Sequence, residues 1–301
     1  MIIVQLKGGL GNQMFQYAAG RALARQKNTI LKIDLSYLSN GVLGENVAYR
    51  KYGLNRFHIV ENIITDEELK SFIRKSRIFS KSKITWLNRK LSYRIPLSTI
   101  INQNGHGYDP MFFTQSKNSF LVGYWQSAEF FRGSEEIIRK DFRFKDIPDS
   151  ANKELFKAIG ECESVAVHIR RGDFKNLPVL GMTGTGYYLK AISYLVERIS
   201  NPVLYFFSDE MNWVKENFNS VFTGIPKNFA EVNNSAGSEA DDLRLMSNCK
   251  HNIIGNSTFG WWGAWLNSNP EKIVIAPETL FADREINAQL QTMIPCDWIR
   301  L

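Results

Sequence analysis

Cysteine is scarce in this sequence: three residues, Cys162, Cys249 and Cys296, in a chain of 301. They lie far apart with no C-x-x-C spacing, which argues against a zinc ribbon, a thioredoxin-type redox site or a disulfide framework and fits a reducing compartment. Long apolar runs are also missing. The opening "MIIVQLKGG" is too short for a secretion signal, and no later stretch approaches the ~18 apolar residues of a membrane span. The expectation is a soluble protein of the cytoplasm. There is no D-x-D pair, the arrangement with which many sugar-nucleotide enzymes hold a divalent cation against a diphosphate. There is no G-x-x-x-x-G-K-[ST], which speaks against a P-loop nucleotidase, and "GGLGNQ" does not satisfy G-x-G-x-x-G. No internal repeat or low-complexity block occurs.

What is present is positive charge. Thirty-seven Lys and Arg against thirty Asp and Glu leave a formal +7, with a pI near 9.2. That balance points to an anionic partner: a phosphorylated small molecule, an acidic membrane surface or nucleic acid. Lys70 to Arg94 holds nine lysines and arginines and no acid, with Phe72, Ile73, Ile78, Phe79, Ile84, Trp86 and Leu87 interspersed. Such a run is a solvated helical face over a small core, or a patch resting on anionic lipid at the inner membrane face or on a charged glycan carrier. A basic nucleic-acid-binding module is the rival from another class, and steeply salt-dependent RNA or DNA affinity would identify it.

At 301 residues and 44% hydrophobic the chain can build two packed α/β domains or one unusually large one. Ile2 to Leu6 reads as a strand, followed by "KGGLGN" and an alanine-rich helix from Gln13 to about Gln26. Residues 37–60 show no sustained period, and a capped helix begins near Thr65, with Asp66 and Glu67 in its first turn. Beyond "DIPDSANKE" four apolar runs, "SVAVHI", "NPVLYFF", "HNIIG" and "EKIVIAP", alternate with helical segments such as "YYLKAISYLVERI" and "DDLRLMSNC". "FGWWGAWL" reads as a buried helix. Alternating strands and helices imply parallel βαβ units. The expected boundary is near residue 150, giving domains 1–150 and 151–301, the second doubly wound.

Ligands of open parallel sheets bind outside the carboxyl ends of strands. In "SVAVHIRRGDF" the alternation puts Val165, Val167 and Ile169 on one side, His168 and Arg170 on the other. The next strand ends in "SDE", Ser208 to Glu210, and the third runs into "GNSTFG". Hydroxyls and free N–H groups at a helix start, Ser257 and Thr258, form an anion site. An arginine beside it grips two phosphate oxygens at any physiological pH. Together they suggest a metal-free diphosphate cradle. Each part also has a plain structural reading: a surface ion-pair arginine, a hydrogen-bonded core histidine at 168, a helix cap at Asp241 and Asp242. "RGD" is also an adhesion tripeptide, but three residues recur by chance.

"GGLGNQMFQYAAGRALA", "HIRRGDF", "FFSDE" and "DDLRLMSNCKHNIIGNSTFGWWGAWL", in this order from Gly8 to Leu266, resemble the bacterial α-1,2-fucosyltransferases. The resemblance implies an α/β GT-B architecture, two Rossmann-like domains facing a cleft, the first on the acceptor side and the second binding the donor. It implies inverting transfer of L-fucose from GDP-β-L-fucose to a galactose 2-hydroxyl, with no metal and no cofactor, GDP-fucose being a co-substrate. The partners it implies are GDP-fucose and a galactose-terminated glycan. A fucosyltransferase of other linkage or acceptor is the near alternative.

By matching position, Arg170 would contact the donor β-phosphate. His168 and Asp242 would lie near the guanine-ribose end, and Ser257, Thr258 and Phe259 near the phosphates. Asp209 of "FFSDE" and Gly11 of "GGLGNQ" would also bind donor, Arg171 would be structural, and Asn12 would approach the fucose and acceptor. The α-1,6 relatives carry a glutamate base a few residues after H-x-R, and "FKNLP" here has no carboxylate. Asp173 is the candidate for that task, its place in the turn fitting equally well with bracing the arginines.

Overall fold

The computed structural model describes residues 1–39, 50–81, 98–145, 150–172, 183–230 and 238–301. The chain divides into two compact units, Met1–Arg143 and Phe144–Leu301.

In the first unit β1 (Ile2–Gln5), β2 (Leu31–Asp34), β3 (Thr99–Asn102) and β4 (Ser119–Val122) pair in the order β2-β1-β4-β3 among the described residues. Every pairing is parallel. Helix α1 (Leu10–Gln26) follows β1. It begins three residues before the sequence led us to expect, because Gly11 lies inside the helix although glycine reads locally as a breaker. Its small residues let it sit close to the sheet: a Cβ on Gly20 would lie 3.0 Å from Leu31 and 3.1 Å from Val4. Tyr17 and Arg21 then reach the Asp141 carboxylate at 2.7 and 2.8 Å, tying α1 to α3 (Glu135–Asp141).

Helix α2 (Asp66–Lys81) starts where the cap was expected. Thr65 Oγ1 accepts from the Glu68 amide at 3.2 Å, and the Glu68 carboxylate accepts from the Thr65 amide at 3.0 Å, a reciprocal capping box. The rest of the basic run, from residue 82 to Arg94, lies outside the described residues. Among the described residues no helix is long and apolar enough to cross a membrane.

In the second unit the elements are α4 (Ser150–Gly160), β5 (Glu163–Ile169), α5 (Thr185–Val196), β6 (Pro202–Ser208), α6 (Met211–Phe218) and β7 (Lys227–Phe229). They continue with α7 (Ser238–Asn248), β8 (His251–Ile254), α8 (Thr258–Leu266), β9 (Val274–Ala276), α9 (Arg284–Gln289) and β10 (Ile299–Arg300). The sheet order is β10-β9-β8-β5-β6-β7, again parallel throughout. The four apolar runs became β5, β6, β8 and β9. Strands β7 and β10, of three and two residues, are too short to show a period. Val165, Val167 and Ile169 pack into one core with Tyr188, Ile192 and Leu195 of α5, as the alternation predicted.

The second sheet reverses direction once. From β5 the chain steps outward to β6 and β7, then returns to the far side of β5 for β8, β9 and β10. In the first sheet the chain steps from β1 to β2 on one side, crosses to β3 at the opposite edge, and returns to place β4 between β3 and β1. At a reversal such as that in the second sheet, ligands of open parallel sheets bind in the crevice outside the carboxyl ends of the two inner strands.

Candidate active site

The reversal in the second unit falls between β5 and β8, with His168 opposite Ile254 in register. The chain therefore leaves the sheet at Arg170 on one side of the crevice and at Gly255 on the other.

On the β5 side, one carboxylate shapes the turn. Asp209, just past β6, accepts from the Arg171 and Gly172 amides, each at 3.0 Å, and its Oδ2 lies 3.2 Å from Arg170 Nε. A Cβ on Gly172 would sit 2.5 Å from that oxygen, so a side chain there would displace the brace. Arg171 is held elsewhere: its Nε is 3.3 Å from Glu210 and its guanidinium lies 3.6 Å over the Trp213 ring. The two adjacent arginines are thus sorted by two adjacent acids. Asp209 fixes the plane of Arg170, and Arg171 has the structural bracing expected of it. Neither Trp213 nor the double amide contact of Asp209 was legible beforehand, since both cross more than 35 residues of sequence.

On the β8 side, Ser257 is the N-cap of α8, its hydroxyl accepting from the Phe259 amide at 3.3 Å. Thr258 and Phe259 form the first turn, where backbone N–H groups point toward the carboxyl edge and favour an anion. Gly255 lets Tyr188 approach: a Cβ there would be 2.5 Å from the Tyr188 hydroxyl, which donates to the His168 carbonyl at 3.2 Å. The helix behind the turn is buried as expected, with Trp261, Trp262 and Trp265 inside and Trp261 Nε1 donating to the Met293 carbonyl at 2.8 Å.

His168 lies beneath this helix start, 5% exposed. Its ring is 5.5 Å from that of Phe259, and a Cβ on Gly260 would lie 2.6 Å from its Nδ1. Burial, with help from the Arg170 charge, pushes its pKa down to about 3, so the imidazole is neutral at physiological pH. Its Nδ1 has no hydrogen-bond partner among the described residues. A buried polar atom left so is a position where a ligand group or water completes the bonding.

Asp242 stands on α7, which packs against α8. The helix starts at Ser238, so Asp241 and Asp242 lie within it and are not the cap that precedes it. Asp241 is 3.6 Å from Arg244. Asp242 Oδ1 has no partner among the described residues, and burial, then Asp241 and Glu239, raises its pKa to about 8. Folding therefore favours the protonated carboxyl. The stability this proton contributes is full below the ordinary value near 3.8 and is lost as pH rises through about 8. In nucleotide-free protein, Asp242→Asn should melt close to the wild type at pH 4 and several degrees above it at pH 9. A constant difference across that range would show that the carboxyl is not held protonated.

Of the remaining expected residues, Gly11 and Asn12 belong to the first unit, in the first turn of α1, where Asn12 Oδ1 accepts from Gln126 Nε2 at 2.9 Å. Asp173 lies outside the described residues. Among the described residues, no three His, Cys, Asp or Glu side chains are grouped as metal ligands. The arrangement at β5 and β8 can hold an anion between a fixed guanidinium and a helix start, with a neutral imidazole beneath that start.

Residues 1–301 match the model of Glycosyl transferase family 11. The chain is 32% identical over 311 residues to an alpha-1,2-colitosyltransferase of Escherichia coli, covering 100% of this chain and 99% of that protein. It is 34% identical over 301 residues to the O-antigen biosynthesis glycosyltransferase WbnK of Escherichia coli, covering 92% and 94%. It is 28% identical over 294 residues to galactoside alpha-(1,2)-fucosyltransferase 2 of Rattus norvegicus, covering 93% and 70%.

Proposed function

Since the chain belongs to glycosyl transferase family 11, we propose that it transfers L-fucose from GDP-β-L-fucose to the 2-hydroxyl of a galactose in a glycan, with inversion and without a divalent ion. The observation that carries this reading is the crevice between β5 and β8. There the Asp209-braced Arg170 and the Ser257-capped start of α8 flank the position a diphosphate would take.

In this reading the acceptor O2 attacks the anomeric carbon from the face opposite the diphosphate, the bond from C1 to the phosphate oxygen breaks, and the electron pair leaves with GDP. Negative charge grows on the β-phosphate as the bond lengthens. Arg170 and the start of α8 would meet that charge as preorganised donors, so they bind the transition state better than the ground state. Asp209 acts through Arg170 as a positioning residue. His168 and Asp242 serve the guanine-ribose end. By the family resemblance, Gly11 would bind donor and Asn12 would approach the fucose and acceptor. Where bond breaking runs ahead of attack, the acceptor hydroxyl becomes acidic late and needs only a weak base, and Asp173 is the carboxylate offered for that proton.

The test is incubation with GDP-fucose and a panel of galactosides, with and without EDTA, followed by linkage analysis. The expected product is an α-1,2-fucosylated galactoside formed at the same rate in both. Product at another hydroxyl overturns the linkage, and loss of turnover in EDTA overturns the metal-free cradle. A second reading, colitose as the transferred sugar, is favoured by the full-length likeness to a colitosyltransferase. Comparing kcat/KM for nucleotide-activated fucose and nucleotide-activated colitose decides between them.

A further inference from the structure

In the first sheet β1 and β4 are the paired inner strands, and the residues leaving them form a cluster that the donor cradle does not use. Past β1, the Lys7 ammonium lies 4.3 Å over the Tyr124 ring, which follows β4. Lys7 is half-buried, and burial lowers its pKa. Among the described residues its ammonium has that ring as neighbour and no carboxylate in ion-pair reach. Tyr124 is 38% exposed, and Tyr37, just beyond β2 and 44% exposed, is close enough to raise the Tyr124 phenol further after burial has done so.

The turn carrying Tyr124 is held in an uncommon shape. Trp125 has φ of 55°, a left-handed conformation that is an outlier for a bulky residue, and such strain persists only where the surroundings impose it. Here the imposition is visible. The Trp125 ring is packed against Phe112 and Phe130, and Gln103 Oε1 accepts from the Tyr124 and Trp125 amides at 2.8 and 3.0 Å. The next residue, Gln126, donates to Asn12, and Gly8, at φ 77°, leaves the space that Asn12 fills, since a Cβ there would be 2.7 Å from Asn12 Nδ2.

A partly exposed aromatic ring beside an ammonium without an acid suits a neutral polyol with one apolar face. A β-galactoside has that form: its axial 4-hydroxyl leaves the hydrogens of C3, C4 and C5 together on the other face, which packs on an aromatic ring while its hydroxyls accept from a cation. We infer that Tyr124 and Lys7 form the subsite for the terminal galactose of the acceptor, with the Trp125 turn holding Tyr124 in place. This rests on the proposed reaction for its substrate, and on the cluster alone for its location.

The test separates the two. Methyl β-galactoside and lactose are titrated into wild type, Tyr124→Ala, Tyr124→Phe and Lys7→Gln without donor, with binding read by saturation-transfer NMR and folding by circular dichroism. Acceptor KM, donor KM and transfer of fucose to water are then measured. We expect galactoside affinity to fall at least tenfold in Tyr124→Ala and severalfold in Lys7→Gln, with Tyr124→Phe near wild type. Donor KM and transfer to water should stay within twofold. Unchanged galactoside affinity in folded Tyr124→Ala and Lys7→Gln overturns the subsite. Should wild type transfer no fucose yet bind galactoside through Tyr124, the reaction falls and the subsite stands.

Discussion

Replacing Arg170 by alanine should lower kcat by about a hundredfold or more, the ~3 kcal/mol typical of removing one preorganised donor to a developing oxyanion. The protein should remain folded, because the Arg171 and Gly172 amides still bind Asp209. The effect should fall on kcat more than on donor KM, since the charge it meets is largest in the transition state. Arg170→Lys should recover little: an ammonium lacks the planar pair of donors that Asp209 orients. Turnover within a few fold of wild type in Arg170→Ala would remove the guanidinium from the mechanism.

The second large effect concerns Gly260, whose missing side chain makes room for a histidine. A methyl group there would be 2.6 Å from His168 Nδ1, 3.1 Å from its Cγ and 3.4 Å from Ile254 Cβ, so the ring or the start of α8 must shift. Overpacking of this kind costs about 1–3 kcal/mol. In a unit of this size that is a fall in Tm of roughly 2–12 °C. Donor affinity should fall with it, because relief requires moving either the imidazole or the start of α8. The double variant Gly260→Ala with His168→Ala should regain stability relative to Gly260→Ala alone, since the new methyl then occupies space the ring has vacated. Strict additivity of the two changes in a double-mutant cycle would show that the contact is not what limits the site.

Much of this was legible from local pattern. The alternation in "SVAVHI" set which side chains of β5 face α5, and Thr65 with Asp66 and Glu67 announced the start of α2. Strand-end position alone marked Arg170, Ser257 and Thr258. Other features depend on contacts between distant segments, which periodicity does not report. Asp209 was expected among the donor-binding residues, and its carboxylate is seen engaged with the turn after β5, a contact set by the pairing of β5 with β6. The start of α1 was hidden by Gly11, which lies in the first turn of the helix although glycine reads locally as a breaker. The raised pKa of Asp242 follows from burial and neighbouring acids, which its sequence neighbourhood shows only in part. The left-handed backbone of Trp125 has no signature in composition at all.

The tryptophans behind the start of α8 have a practical consequence. Trp261 and Trp262 lie 5.0 Å apart by ring centroids, with Trp265 and Trp298 at 6.1 and 5.5 Å from Trp261, so four of the chain's seven tryptophans form one chromophore group. Emission from the molecule is therefore weighted toward the helix that caps the crevice, and light can report what happens there without a label. A nucleotide settling on that helix should change the spectrum, giving an optical titration for ligands that are never turned over.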